Sequence, residues 1–229
     1  MAQNTKKAAQ SKDEKQAKDQ GDVKKASNMP LFVLVIAIII IIASIFIINH
    51  YGQQDQRPPS AYNITEYNGF TFIEIDGMWW TQVHFPGKAA PHSLEMRYGP
   101  HDTEDISLQD SILDKITRSD LIYLTTAPDL SSKAVLAMIE IGRVTGEHFD
   151  IYNIPTKAAL SYEKEGADPS VPIITCQNST QDITVIDFRV GDQTSVYLQD
   201  YCIIIQGTDE EEIIRAADRV VYGLVGIMP

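Results

Sequence analysis

The longest apolar stretch of the chain runs from residue 31 to 48 and reads LFVLVIAIIIIIASIFII, without a charged side chain. As a helix, these eighteen residues span roughly 27 Å, and their uncharged neighbours extend them to the thickness of a bilayer core. A single segment cannot close a barrel, so only a helix satisfies its backbone in lipid. The pattern therefore predicts one transmembrane helix over residues 29–49.

The residues around this segment indicate an uncleaved signal anchor and its orientation. A polar tail, residues 1–28, precedes the segment, and no small-residue cleavage pattern follows it. The tail holds seven lysines, whereas the first twenty residues after the segment hold only Arg57 as a basic side chain. The positive-inside rule then predicts a single-pass protein of the cell membrane, with its N-terminus in the cytoplasm and its C-terminal part outside. Because the tail has almost no large apolar residue, we expect it to be disordered.

After the apolar segment the pattern becomes that of a folded domain. Residues 50–60 form a short polar linker, and residues 61–229 have the composition of one globular, extracytoplasmic domain. GFTFIEID and MWWTQVHF alternate on either side of Asp76-Gly77, which predicts a β-hairpin with a type I′ turn. SLEMRY predicts a third strand, and the residues near 109–117 a short helix.

A strand–helix–strand pattern follows. DLIYLTT (120–126) predicts a buried strand, and SKAVLAMIEIGRVTG a helix that is capped by Ser131 and ends before Gly146. FDIYNI (149–154) predicts the next strand. Strands connected by a helix in this way are usually parallel, so we expect a β-α-β unit.

The last part of the chain is the most regular. ITVIDFRV, TSVYLQ and YCIIIQG predict three strands of a meander, and the residues after them an amphipathic helix. Thr208 and Glu211 have the spacing of a capping box at its start. Together the elements predict an α/β or α+β domain, with a mixed β-sheet, helices packed on it and one transmembrane helix before it.

The formal charge of −12 is unevenly distributed along the chain. The tail 1–28 is basic, with seven lysines and four acidic residues, and residues 50–229 hold the other 12 basic and 27 acidic side chains. An acidic domain repels phosphate, which argues against nucleic acid as a partner. The acidic side chains therefore indicate either an ordinary solvated surface or weak binding of cations.

The cysteines and two asparagines are consistent with export. Cys176 and Cys202 are the only cysteines, and both lie in the part predicted to be outside. Two thiols in an oxidising compartment tend to pair, so we expect a disulfide that ties a loop to the last strands; two buried free thiols are the alternative. Asn63 and Asn178 begin N-x-S/T sequons in sequence typical of loops, and are candidate glycosylation sites.

Three histidines, His84, His92 and His101, lie close together in the sequence, and Asp102 follows the last of them. Imidazole and carboxylate groups bind zinc and other divalent cations, so these four residues are a candidate metal site. Their spacings match no standard ligand motif, and loop histidines on an acidic surface are the alternative. The sequence contains no phosphate-binding, zinc-protease or serine-nucleophile motif, so no catalytic residue is assigned and no cofactor is expected beyond a possible divalent cation.

A second candidate site consists of the hydroxyl side chains Thr125, Thr126, Ser131 and Ser132. They lie where a predicted strand ends and a predicted helix begins. In parallel α/β units ligands collect at this edge, and the helix N-terminus attracts anions. The pattern indicates a ligand site there, with helix capping as the alternative.

The segments YNGFTF, MRYGP and VYLQDYCIIIQGTDEEEIIRAADRVVYGLVGIM resemble single-span surface proteins of small-genome archaea, which also end in a cysteine-containing strand and an AADR helix. The likeness covers most of residues 67–229. It implies a location at the cell surface and an archaeal lineage, and it supplies no catalytic residue.

Two functions follow as hypotheses. The leading one is a non-enzymatic protein of the cell envelope, held in the lipid bilayer through residues 31–48, whose acidic domain binds an envelope protein, a polymer or cations. The alternative is a tethered metal-dependent hydrolase that uses His84, His92 and His101. We expect no role for nucleic acid in either.

Overall fold

The computed structural model describes residues 62–147 and 150–228, together with Ile40 and Ile41, which are helical. The chain divides into two units between Pro58 and Pro59, and almost all described residues belong to the second unit.

Among the described residues, no helix is both long enough and apolar enough to cross a membrane. The predicted transmembrane helix 29–49 lies outside the described residues apart from Ile40 and Ile41, and the predicted tail 1–28 and linker 50–60 lie outside them entirely. These three assignments stay predictions.

The first sheet has four antiparallel strands in sequence order: β1 Asn63–Tyr67, β2 Phe70–Ile75, β3 Met78–Val83 and β4 His92–Met96. Asp76 and Gly77 have φ values of 53° and 78°, as a type I′ turn requires, so the predicted hairpin and third strand are confirmed. A second turn of this kind, at Asn68 and Gly69, joins β1 to β2. Asn63 therefore begins a strand, and its predicted loop position is wrong.

The second sheet has five strands in the order β6-β5-β7-β9-β8. They are β5 Leu121–Thr126, β6 Thr156–Leu160, β7 Ile183–Val190, β8 Ser195–Gln199 and β9 Cys202–Gly207. All pairings are parallel except that of β8 with β9. The domain is thus a mixed α/β structure with two sheets, as in α+β folds, and the prediction of one mixed sheet is corrected.

The predicted β-α-β unit is confirmed, because β5 and β6 are parallel and a helix connects them. Its second strand, however, is Thr156–Leu160 and not the predicted segment 149–154. Asp150 and Asn153 have φ values of 53° and 56°, which an extended strand does not allow.

The predicted meander is wrong in its strand order. β9 lies between β7 and β8 and pairs with β7 in parallel, so β7 and β8 are not neighbours. Cys202, Ile203, Ile204 and Ile205 of β9 are all buried, a continuous apolar run that is typical of a central parallel strand.

Three α-helices complete the described domain: α1 Asp110–Thr117, α2 Ser132–Thr145 and α3 Glu210–Leu224. The three helices predicted for this domain are confirmed, and Ser131 caps α2 as expected. The cap of α3 is Asp209, whose carboxylate accepts the N–H of Glu212 at 3.0 Å. The N-cap is therefore one residue after Thr208, the position predicted from the sequence.

α3 is the centre of the domain and is buried around its circumference. The Tyr222 ring stands edge-on to Phe72 of β2, with centroids 5.8 Å apart. On the other side the Ile213 backbone lies so close to Gly207 of β9 that a Cβ there would approach it to 2.3 Å. α3 is thus covered by both sheets, and its buried residues include the polar side chains Asp218 and Arg219 beside the apolar stripe.

The second face of the second sheet is covered by the loop that precedes β7. Alternate residues of β7 and β9, Val185, Cys202 and Ile204, form a separate cluster with Ile174 and Cys176 of that loop. The disulfide between Cys176 and Cys202, with Cα atoms 5.2 Å apart, fixes the loop to this face. The predicted disulfide is confirmed.

Candidate functional site

The predicted ligand site at the end of β5 is largely enclosed. Thr125 and Thr126 are 0% and 5% exposed, and their hydroxyls have no hydrogen-bond partner among the described residues. Ser131 is the N-cap of α2, and its Oγ accepts the N–H of Lys133 at 3.2 Å. Ser132 is the first residue of α2.

A carboxylate of the protein itself occupies the N-terminus of α2. Both carboxylate oxygens of Glu210, the first residue of α3, lie 3.0 Å from the backbone nitrogen of Ser131, and the Ser131 hydroxyl also donates to this group. These hydrogen bonds hold the pKa of Glu210 below its ordinary value. A helix N-terminus attracts anions, and here the attraction connects α2 to α3. Ligand binding at Thr125, Thr126, Ser131 and Ser132 stays a prediction.

The three histidines take separate positions. His84 follows β3, and His92 begins β4 with its ring 5.5 Å from that of Phe85. The Nδ1 of His101 lies 3.2 Å from a carboxylate oxygen of Glu104.

Asp102, the carboxylate predicted to join these histidines, has a structural contact instead. It accepts the backbone N–H of Gly99 at 2.9 Å and so caps the 3₁₀ helix Pro100–Thr103. In residues 62–147 and 150–228 no three His, Cys, Asp or Glu side chains are grouped to hold a metal ion. The metal site, and the hydrolase that depends on it, stay predictions.

Two buried carboxyl groups lie between α2, α3 and the end of β4. Asp218 is fully buried, and Glu140 is 5% exposed, with Arg97 and Arg143 at 3.8 and 3.6 Å. Burial raises the pKa of Glu140 to about 7 and that of Asp218 well above its ordinary value. Each group contacts only other parts of the domain, so the pair belongs to the packing of the two helices on the first sheet.

The outer face of the first sheet carries a different kind of site. Ile64 pairs with Ile73, Ile73 with Trp80, and Trp80 with Glu95, so one row of side chains crosses all four strands. Residues in register on antiparallel strands share a face. Ile64 and Trp80 are 60% and 36% exposed, and we call Ile64, Ile73 and Trp80 the apolar row.

A second row of opposite character lies beside the apolar row. Thr71 pairs with Glu66, and Gln82 pairs with Ser93, two residues along the strands from the apolar row. Two residues of a strand rise about 7 Å, so the rows run side by side at that spacing. We call Thr71, Gln82 and Ser93 the polar row. Ile73, Trp80 and the polar row line an open groove of about 690 Å³, which His84 also lines.

The charged side chains of this face lie at its ends, and they include Arg97 beyond β4, which contacts Met78 at 4.0 Å and lies 3.8 Å from Glu140. Glu66 lies on the edge strand β1, and Glu95 lies on the edge strand β4, where its carboxylate is 3.8 Å from Arg143 of α2. Neither row contains a lysine or an arginine. A neutral ligand meets no uncompensated charge between the two ends.

The opposite side of β3 is anchored to the domain, and this fixes the position of Trp80. Successive side chains of a strand alternate, so Trp79 and Thr81 point to the opposite side. Trp79 packs against the core, and the Thr81 hydroxyl donates to the carbonyl of Thr71 at 2.9 Å. The sequence alone does not identify this face, because the partners of Trp80 come from three other strands.

The two sequons are both at the surface. Asn63 is exposed, and its side-chain amide donates to Glu74 at 3.2 Å. Asn178 is exposed at the end of the 3₁₀ helix Cys176–Asn178, where its Oδ1 accepts the N–H of Thr175 at 2.9 Å. Glycosylation at either residue stays a prediction.

No protein-family model, curated protein or solved structure matches the chain.

Proposed function

We propose that the chain is a non-enzymatic, membrane-anchored protein of the cell envelope. Residues 31–48 hold it in the bilayer, and the domain outside the cytoplasm binds an envelope component through the outer face of the first sheet. The observation that carries the binding function is the apolar row, where Trp80 remains 36% exposed on the sheet. Aromatic side chains are enriched in interfaces because they contribute large contact area at low entropic cost.

The location rests on three features that support one another. The lysines of the tail 1–28 favour a cytoplasmic N-terminus. The Cys176–Cys202 disulfide favours an oxidising compartment for the domain. The resemblance to single-span surface proteins of small-genome archaea favours the same location.

Membrane topology is tested with the full chain carrying an epitope tag at each end. Protease added to intact cells is expected to remove the C-terminal tag and to spare the N-terminal tag. A control variant without residues 31–48 is expected in the soluble fraction after lysis. A C-terminal tag that is protected until the cells are permeabilised contradicts the proposed location.

The binding function is tested with the full chain in liposomes and isolated, washed envelopes of the cells that make it. Wild-type liposomes are expected to co-sediment with the envelopes, and Trp80→Ala is expected to abolish this. The matched control is Tyr201→Ala, because Tyr201 is also an exposed aromatic residue, at 53%, but lies next to β9 of the other sheet. Equal sedimentation of the wild type and Trp80→Ala contradicts the proposed binding face.

A further inference from the structure

The outer face also indicates what kind of molecule binds there. We infer that the apolar and polar rows together form a site for a neutral carbohydrate, a chain of uncharged sugar rings of the cell envelope. This inference rests on the proposed binding function and gives the ligand class of the same face.

The chemistry of the two rows is complementary to a sugar ring. A pyranose ring has C–H groups on its flat faces and hydroxyl groups around its rim. The C–H groups carry a partial positive charge, which the negative face of an indole ring attracts. Trp80 of the apolar row provides that ring, and Gln82 and Ser93 of the polar row provide donors and acceptors for hydroxyls.

The spacing of the rows allows both contacts at once. Gln82 lies two residues from Trp80 on β3, about 7 Å away, and Ser93 is its neighbour on β4. A ring stacked on Trp80 thus has a neutral amide and a hydroxyl beside its rim. The apolar row continues across β2 and β1 to Ile64, a distance of about 10 Å at the usual strand spacing. An extended chain can lie along this row with more than one ring.

The charge of the face argues against other ligand classes. An anionic ligand, including a phosphate or an acidic lipid surface, needs several basic side chains; neither row has one, and Arg97 beside them is 3.8 Å from Glu140. A cationic ligand needs a free carboxylate near Trp80, but Glu95 is 3.8 Å from Arg143 and Glu66 lies at the far edge of the sheet. A large protein interface is more apolar at its centre than a face on which a polar row lies directly beside the apolar one.

The test uses full-chain liposomes and envelopes of the producing cells that have been treated in two ways. Periodate cleaves the vicinal diols of sugars, and a protease removes envelope proteins. Periodate treatment is expected to abolish sedimentation, and protease treatment to leave it unchanged. The polysaccharide released from the same envelopes is expected to compete with them.

Variants of Trp80 separate stacking from simple apolar contact. For binding to the released polysaccharide, we expect Trp80→Ala and Trp80→Leu to weaken affinity at least about tenfold, and Trp80→Phe to remain within about threefold, since only an aromatic ring stacks. Gln82→Ala is expected to weaken binding several-fold, and Tyr201→Ala to leave it unchanged.

Each outcome discriminates between the two proposals. If protease abolishes sedimentation and periodate does not, the ligand is a protein: the carbohydrate inference fails and the proposed binding function stands. Equal affinity of Trp80→Leu and the wild type for the polysaccharide also overturns the carbohydrate inference. If untreated envelopes bind the wild type and Trp80→Ala alike, the binding face itself is wrong.

Discussion

The carboxylate of Asp218, in the middle of α3, accepts the backbone N–H of Tyr98 at 2.8 Å. Its second hydrogen bond comes from the N–H of Arg97 at 3.1 Å, and the Tyr222 hydroxyl donates to the carbonyl of Tyr98 at 2.5 Å. The chain directly after β4 is thereby fixed to the central helix. This is how the first sheet, which carries the outer face, is held to the rest of the domain.

Replacing Asp218 by alanine removes the acceptor of two partly buried backbone N–H groups, and we expect a loss of about 2–4 kcal/mol in the free energy of unfolding. Asp218→Asn keeps an acceptor in place. Burial raises the pKa of Asp218, which favours the neutral acid, so we expect the asparagine variant to lose less than about 1 kcal/mol at pH 7. Urea unfolding followed by tryptophan fluorescence measures both. Equal losses for the two variants mean that the charged carboxylate is required.

Glu140 predicts a pH dependence of stability. Burial raises its folded-state pKa from 4.5 to about 7, so between these values the folded protein binds more protons than the unfolded chain. Stability therefore falls as the pH rises through this window, by up to about 3 kcal/mol, and Asp218 acts in the same direction. Glu140→Gln is expected to flatten the profile between pH 5 and 7 and to stabilise the protein at pH 7.

The control for this profile is Glu163→Gln, an exposed glutamate in the loop after β6, which is expected to leave it unchanged. Below about pH 4 the pH dependence of stability has the opposite sign, and stability falls as the pH falls. Arg215 holds the pKa of Asp105 below its ordinary value, so protonation there removes stability. A wild-type protein that gains stability from pH 5 to 7 contradicts the assignment of Glu140.

The disulfide predicts a loss of stability on reduction. It closes a loop of 26 residues, and the chain-entropy estimate for such a loop is about 3 kcal/mol. Cys176→Ser with Cys202→Ser is expected to lower the unfolding midpoint, and reductant to lower that of the wild type only. Mass mapping without reduction is expected to show one peptide pair joined through these cysteines. Two alkylated free thiols would contradict the pairing.

The contact between Glu210 and Ser131 covers the N-terminus of α2, so we expect an anion site there once the carboxylate is removed. Glu210→Ala frees the N–H of Ser131, and we expect a loss of about 1 kcal/mol. Sulfate should restore part of this loss in the variant, whereas sodium chloride of equal ionic strength should not. Glu211→Ala, which removes only the contact with Lys133, is the control. If sulfate does not stabilise Glu210→Ala, the N-terminus of α2 does not attract an anion in the absence of the carboxylate.

Most of the secondary structure could be predicted from the sequence because its signals are local. The Asp76-Gly77 turn, the alternation around it and the apolar stripe of α3 each involve neighbouring residues. The strand between α2 and β7 was predicted at the wrong residues, also for local reasons. Residues 149–154 have an apolar pattern, yet Asp150 and Asn153 take left-handed backbone conformations. The strand at Thr156–Leu160 is short and has no strong alternation.

The candidate site was less predictable than the fold. The pairing of Cys176 with Cys202 required only that the domain has two cysteines. At the predicted ligand edge, the group that binds the N-terminus of α2 is Glu210, which is 79 residues away from Ser131. Separation in sequence gives no information about such a contact.

By itself, the sequence determined most of the elements, the disulfide pair and the separation of a basic tail, an apolar segment and an acidic domain. Only the tertiary structure decided which face of the first sheet is exposed. Phe72 and Ile73 are adjacent and both apolar, so alternation alone allows either face to pack inward. The Tyr222 ring packs on Phe72, which places Ile73 and Trp80 on the outside. The outer face therefore exists because a helix more than 100 residues later covers the other side.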